Sequence, residues 1–220
     1  MPNFLGAVLI NPSQSKVQEE IDKFTSAHDS NFALHDVAKR NLLENSFDFT
    51  DPFPRVESHG RYLFGEFATP TSLVDGKDLF LTAHFVVSFD YGLVIFRSPD
   101  EGSIEKDSRL TQNVHVKLAK SSESGGRFIL DLIEFIVLDY EEKIAEVHER
   151  IDDDLLTITN QFDNHRKNVT KIDISKYYNS ASLFNIDILG CKSSIEGMLQ
   201  VLGEIASDNI DLKITKDTGV

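Results

Sequence analysis

Carboxylates are the side chains of this sequence whose type and spacing could do chemistry. A triplet of aspartates follows a glutamate-rich segment, and two more aspartates lie in a polar turn; these candidates are Asp152, Asp153, Asp154, Asp75 and Asp78. Hard divalent cations prefer oxygen ligands, and Mg²⁺ keeps several waters and is often held by only one or two carboxylates. We therefore predict these five residues as candidate ligands of a weakly bound, hydrated cation. A solvated acidic helix face and an ordinary turn aspartate are the competing explanations.

The sequence contains no recognisable catalytic motif. It contains no phosphate-cradling glycine loop, no Gly-x-Ser-x-Gly elbow and no His-Glu-x-x-His motif. The seven histidines are scattered without metal-ligand spacing, so each is predicted to be a surface or core histidine. The single cysteine, Cys191, falls on an apolar helix face and is predicted to be a small buried hydrophobe. We therefore expect that the protein is not an enzyme.

The composition limits the partners. A formal charge of −14 and a pI near 4.8 argue against nucleic acid and anionic membrane surfaces, because both are bound through basic patches. One cysteine suggests a reducing compartment. The N-terminus lacks a signal-peptide pattern, and no run of 18 apolar residues is present. We expect the chain as given to be soluble.

The segment from Ser124 to Ile158 predicts one long helix. Apolar residues recur at spacings of three or four along one stripe, at Ile129, Ile133, Ile136, Tyr140, Ile144, Val147, Ile151 and Leu155. The first half, Phe128 to Leu138, is apolar on nearly every face and is predicted to be buried on most sides. The second half has a narrow stripe with acidic flanks, which is typical of a helix packed on one partner helix and projecting from its domain.

The other predicted elements follow from periodicity and turn signals. They are a strand at Gly6–Ile10, helices at Ser13–Phe24 and His35–Asn45, strands at Tyr62–Ala68, Leu79–Phe89 and Gly92–Ser98 in an antiparallel meander, a surface helix at Ile104–Lys120, a turn at Asn160–Lys171, and a helix at Ile172–Leu202. Gly190 and Gly197 in the last helix, and Gly203 directly after it, weaken it by about 1 kcal/mol each relative to alanine.

Several strings resemble the cytoplasmic domain of CorA-like divalent-cation channels. Those before the long helix are His35, Val37, Ala38, Asn41 and Leu42, then Pro54-Arg55-Val56-Glu57 and Tyr62-Leu63-Phe64. The long helix is similar to the family's helix at Phe128, Leu130, Leu132, Ile133, Ile136, Val137, Asp139, Tyr140, Lys143 and Ile144, and Ser182-Leu183-Phe184 with Lys192-Ser193 resembles the early stalk helix. Asp36 stands where the family has proline, and the Gly-Met-Asn signature and both membrane spans are absent.

The resemblance implies a fold class and an organisation. The fold is a three-layer α/β/α sandwich with a mixed, largely antiparallel sheet, followed by long antiparallel helices that lead to a stalk helix. The divisions are an α/β domain at 1–123, a long acidic helical hairpin arm at 124–160 and a partial stalk region at 165–220. The chain is then expected to be the N-terminal part of a longer protein, cut before its membrane spans.

The resemblance also implies a function. The chain would be the cytosolic, metal-sensing domain of a homopentameric Mg²⁺ transporter at the cytoplasmic face of the cell membrane. It would be connected to the membrane only through a C-terminal region that this sequence does not include. Regulatory Mg²⁺, with Co²⁺ or Zn²⁺ as alternatives, binds weakly between subunits, and Asp75 lies near the family's sensing aspartate. A stand-alone soluble scaffold whose helical arm binds a partner helix is the alternative, favoured by the apolar content of Ile172–Leu202.

Overall fold

The computed structural model describes residues 4–28, 32–44, 54–70, 80–97, 118, 124–165 and 174–207. Within these ranges the chain forms five strands and four helices of eight residues or more. In order they are β1 (Leu5–Ile10), α1 (Gln14–Ser26), α2 (Asp36–Leu43), β2 (Arg55–Ser58), β3 (Tyr62–Pro70), β4 (Phe80–Ser88), β5 (Tyr91–Arg97), α3 (Gly125–His165) and α4 (Ile174–Ser207).

The five strands form one mixed sheet in the order β1-β5-β4-β3-β2. β1 pairs parallel with β5, and the other three pairings are antiparallel. The predicted meander of β3, β4 and β5 is confirmed. β2 was not predicted as a strand, because four residues carry too little alternation to be recognised. It reaches β3 through a short turn in which Gly60 has a φ of +78°, a backbone conformation that favours glycine.

Helices α1 and α2 cover one face of the sheet. Their apolar sides pack on alternate residues of β3, β4 and β5, in a core formed by Val17, Ile21, Phe24, Leu34, Ala38, Leu42, Tyr62, Phe64, Val86, Tyr91, Leu93 and Ile95. Ser13 caps α1 by accepting a hydrogen bond from the Lys16 amide. Tyr91 donates its hydroxyl hydrogen to the buried Glu20 carboxylate at 2.5 Å, which ties α1 to β5.

The other face is covered by α3 and α4. Residues of α3 from Phe128 to Tyr140 pack on the inward side chains of the strands, while Cys191 and Met198 of α4 complete this core. The Phe96 and Phe135 rings meet edge to face, with centroids 6.0 Å apart. The sheet therefore lies between two helical layers, and the predicted three-layer α/β/α sandwich is confirmed.

Helix α3 is longer than the sheet needs. Its 41 residues span about 60 Å. The core over the sheet reaches Ile144, so about 30 Å of helix extends beyond it. α4 packs along α3 and runs antiparallel to it. The Tyr140 side chain over the sheet is hydrogen-bonded to Ser194, and Arg150 in the distal part lies over the Phe184 ring. The predicted projecting helix and its partner helix are both present.

One sequence prediction about this region is wrong. Residues 160–165 were predicted as a turn but continue α3, because neither proline nor glycine interrupts the helix there. The segment Phe128–Leu138, predicted to be buried on most sides, is exposed only at Leu130, Glu134 and Leu138. These three residues are four positions apart, so they lie on one face of the helix.

Some predictions lie outside the described residues or stay predictions. The surface helix at Ile104–Lys120 falls outside the described part except for Leu118, which is buried in the sheet core. The divisions at 1–123, 124–160 and 165–220 stay predictions. Within the described ranges no helix is both long enough and apolar enough to cross a membrane.

Candidate functional site

The distal half of α3 is strongly acidic. Between residues 141 and 154 it carries seven acidic side chains and two basic ones. The acidic set is Glu141, Glu142, Glu146, Glu149, Asp152, Asp153 and Asp154, and all of these except Glu146 and Asp154 are exposed. The predicted acidic helix face is therefore real and faces solvent.

Two basic side chains interrupt this acidic set. Lys143 is buried, whereas Arg150 is exposed. The Arg150 guanidinium lies 4.8 Å from the centroid of the Phe184 ring on α4, in a cation–π contact. Seven carboxylates against two cations give residues 141–154 a formal charge of −5.

The aspartate triplet does not form a metal site within one chain. Consecutive helical residues are separated by about 100° around the axis, so three side chains in a row diverge. Asp152 and Asp153 are exposed, and Asp154 is half-buried beside the partner helix. In the described ranges no three His, Cys, Asp or Glu residues are grouped to hold a metal ion. Asp75 and Asp78 lie outside the described residues.

An open apolar groove of about 260 Å³ lies between the distal halves of α3 and α4. It is lined on one side by Ile151, Leu155 and Ile158 and on the other by Ala181, Phe184 and Ile188, with the polar residues Asp154 and Asn185. The small side chain of Ala181 leaves room between the two helices. Leu155 is 56% exposed, so the groove presents a large apolar side chain to solvent.

A row of polar side chains crosses the sheet on the face covered by α1 and α2, from the exposed Arg55 through the partly buried Glu66 to the buried His84. Glu66 on β3 accepts hydrogen bonds from Arg55 on β2, at 3.0 and 3.2 Å, and its carboxylate lies 3.4 Å from Nε2 of His84 on β4. Burial opposes ionisation of Glu66, but the contacts with His84 and Arg55 lower its pKa below the ordinary value. Burial lowers the pKa of His84, which favours the neutral imidazole.

Arg97 on β5 lies on the same face. Its guanidinium donates a 2.6 Å hydrogen bond to the Leu42 carbonyl at the C-terminal end of α2. A positive charge at a helix C-terminus also interacts favourably with the helix dipole. Burial lowers the pKa of Arg97 to about 10, so the side chain stays charged at neutral pH. The row therefore fastens α2 and β2 to the centre of the sheet, a structural role that needs no substrate.

Sequence reasoning missed this row. It treated His84 as one of seven scattered histidines and did not associate it with Glu66. Alternation along β3 and β4 could have found it, because Glu66 and His84 occupy core-facing positions, in phase with Phe64 and Val86. Charged residues at such positions of two paired strands indicate a buried pair.

Two further histidines come together at the start of α2. The rings of His35 and His59 stack with centroids 5.3 Å apart, and His59 stacks on Tyr62 at 4.8 Å. The Tyr62 hydroxyl accepts a 2.8 Å hydrogen bond from the His35 amide. Stacked imidazoles cannot both aim a ring nitrogen at one ion between them, so this arrangement is an aromatic contact between α2 and the sheet.

Comparison with known proteins gives structural neighbours only. No protein-family model matches the chain, and no curated protein matches it. The soluble domain of CorA from Methanocaldococcus jannaschii is similar over 89% of this chain and 86% of its own, with 16% identity and a TM-score of 0.43. The complete CorA magnesium transporter from the same organism is similar over 96% and 73%, with 15% identity and a TM-score of 0.41.

The full-length CmaX protein is a third neighbour, similar over 98% of this chain and 71% of its own, with 14% identity and a TM-score of 0.44. Two of the three neighbours are CorA proteins. That is the family which the sequence strings resemble.

Proposed function

We propose that this chain is the cytosolic, metal-sensing regulatory domain of a CorA-like transporter of magnesium or another divalent cation. The observation that supports it best is the exposed acidic face in the distal half of α3, which a continuous helix carries to about 15 Å beyond the sheet core at Asp154. The strings shared with the CorA-like family, and their order along the chain, support the same function.

The donor chemistry of this face suits a hydrated divalent cation. Carboxylate oxygens are the ligands that Mg²⁺ prefers, and one or two of them suffice when the ion keeps its waters. Because the three aspartates diverge, one chain offers only one or two of them to an ion. A site with more ligands then needs carboxylates from a second chain, which suits regulation by assembly. Asp152, Asp153 and Asp154, with Asp75 and Asp78 of the turn, are the proposed ligands.

Electrostatics gives such a shared site a switching role. Two carboxylates brought to about 6 Å across an interface repel by roughly 3 kcal/mol at an effective dielectric constant of 20. A cation between them removes this repulsion, so binding and assembly become coupled. In the full-length protein the assembly is proposed to be a homopentamer at the cytoplasmic face of the membrane, with loss of the ion loosening the ring.

The test compares the 220-residue chain in millimolar Mg²⁺ and in EDTA at matched ionic strength. We expect Mg²⁺ to shift sedimentation toward larger species and to raise the melting temperature. An ion at ten times its Kd stabilises the bound state by about 1.4 kcal/mol, or about 3–6 °C for a chain of this size. No change in either observable would count against a metal-sensing role.

Matched variants separate a site from general charge screening. The triple variant Asp152→Asn, Asp153→Asn, Asp154→Asn should lose the response to Mg²⁺. The control Glu141→Gln, Glu142→Gln, Glu149→Gln removes the same formal charge from exposed positions of the same helix. This control should keep the response to Mg²⁺. The variant Asp75→Asn, Asp78→Asn tests the turn separately. Equal loss in both triple variants would mean that Mg²⁺ acts only by screening.

A second candidate function is an interaction protein whose helical arm binds a partner helix. The apolar groove between α3 and α4 favours it, because Leu155 and Ile188 are exposed there together. A well-folded monomer that retains no helical partner would contradict this function.

A further inference from the structure

We propose that the groove between the distal halves of α3 and α4 binds an amphipathic helix of a partner protein whose apolar stripe is flanked by lysine or arginine. This inference rests on the second proposed function and names the chemistry of its partner. The groove lining is apolar except for Asp154 and Asn185, and it does not include Asp152 or Asp153. Because Asp154 is also a proposed metal ligand, helix binding is measured without divalent cations.

The dimensions of the groove favour a helix over a small molecule. At about 260 Å³ it is smaller than the pockets of roughly 300–1,000 Å³ that enclose small ligands. Its lining on α3 runs from Ile151 to Ile158, about 10 Å or two helical turns. Apolar anchors of a bound helix recur over that distance, at positions i, i+4 and i+7. The groove can therefore receive one or two side chains from such a stripe.

The charges around the groove determine the flanks of the partner. Asp154 lines the groove and the neighbouring turns of α3 carry exposed carboxylates, whereas Arg150 is held over the Phe184 ring. A helix laid along this groove passes close to the acidic face. Basic flanks would be attracted there and acidic flanks repelled, and such complementarity raises the association rate and selects the partner.

The same charges disfavour a second copy of this chain as the occupant. Pairing two grooves would bring two acidic faces together, and the chain has a formal charge of −14. Without a bridging cation, like charges brought together across an interface cost several kilocalories per mole. The binding test is therefore performed in EDTA, where a cation cannot mask this repulsion.

The experiment measures fluorescence anisotropy of a labelled peptide of about 18 residues, some five helical turns. The peptide carries leucines at i, i+3, i+4 and i+7 and lysines on both flanks. One comparison peptide has the same residues in scrambled order, and another has glutamates in place of the lysines. We expect only the first peptide to bind the 220-residue chain, with an affinity that falls as salt increases.

Two leucines of α3 provide a matched pair of variants. Leu155 in the groove is 56% exposed and Leu130 on the opposite part of the helix is 55% exposed, so serine at either position should leave the fold intact. Leu155→Ser should weaken peptide binding about tenfold or more, as loss of an anchor does, and Leu130→Ser should leave it unchanged. Ile188→Ser probes the α4 side of the groove and should also weaken binding.

Each contrary outcome has a definite meaning. Equal binding of the scrambled peptide, or equal binding by Leu155→Ser and the parent chain, overturns the groove assignment. If Leu130→Ser alone loses binding, the arm is still an interaction surface, so the second proposed function stands while this inference fails. If the chain self-associates in EDTA and Leu155→Ser abolishes that, the groove belongs to a second copy and the basic partner is refuted.

Discussion

Two glycines of α4 should respond to the same substitution with opposite signs. A Cβ at Gly197 would lie 2.7 Å from Cδ and 3.1 Å from Cγ of Pro54, whereas a Cβ at Gly203 meets nothing within 4 Å. Both residues lie inside the helix, so alanine removes the same backbone entropy from the unfolded chain at each. The difference between the variants therefore isolates the contact between α4 and the residue that precedes β2.

The expected magnitudes follow from two competing effects. Alanine in place of a helical glycine stabilises by about 0.5–1 kcal/mol. Overpacking by one carbon costs about 1–3 kcal/mol when the neighbour is rigid, and Pro54 is a buried ring with little freedom to move. We expect Gly203→Ala to gain about 0.5–1 kcal/mol and Gly197→Ala to lose about 0–2 kcal/mol of unfolding free energy.

Chemical denaturation of the two variants and the parent chain measures these values. For a chain of this length each kilocalorie per mole also moves the melting temperature by about 2–4 °C. If both variants are stabilised equally, α4 does not approach Pro54 as closely as the structure has it. The double variant Gly197→Ala, Pro54→Ala should recover part of the loss, because the smaller side chain removes the clash.

Two further predictions concern buried polar groups. The lowered pKa of His84 means that the unfolded chain binds a proton that the folded chain does not, so stability falls as pH decreases below about 6.5. In denaturation at several pH values, His84→Gln should make this dependence shallower by up to about 1.4 kcal/mol per pH unit between pH 5 and 6.5. An unchanged slope would contradict the burial of a neutral imidazole. Tyr140 is buried with its hydroxyl hydrogen-bonded to Ser194, so Tyr140→Phe should lose about 1 kcal/mol of unfolding free energy. Tyr178 is 72% exposed, so Tyr178→Phe should lose almost none. Equal losses in chemical denaturation would argue against the buried hydrogen bond of Tyr140.

Much of the fold was predictable because its periodicities are local. Alternation placed β3, β4 and β5. The three- and four-residue spacing placed α1 and α4 within five residues of their ends and placed the start of α3, although α3 continues seven residues past its predicted end. β2 could not be found this way, because it is short and its position depends on pairing with β3. The exposure of Leu130 could not be predicted from periodicity either, since an apolar residue does not reveal which side of its helix meets the sheet.

The sites were less predictable because they depend on distant parts of the chain. The aspartate triplet is visible as a string, but whether its members converge depends on helix geometry and on a second chain. The groove requires Leu155 and Ile188, which are 33 positions apart in the sequence, to face each other across two helices. The Glu66–His84 pair requires the register of β3 against β4. Pairwise geometry of this kind is not present in any local pattern.

The length of α3 gives the two proposed sites a physical connection to the sheet. One uninterrupted helix carries Phe128 in the core against β5, Tyr140 against α4, and Asp154 beside the groove. Proline and glycine, two frequent causes of a sharp kink, do not occur in α3 after Gly126. A displacement of the acidic end is therefore expected to reach the contacts of Phe128 and Phe135 with the sheet, where close packing resists gradual deformation. Under the proposed function, this displacement would couple binding at the distal end to the position of α3 on the domain.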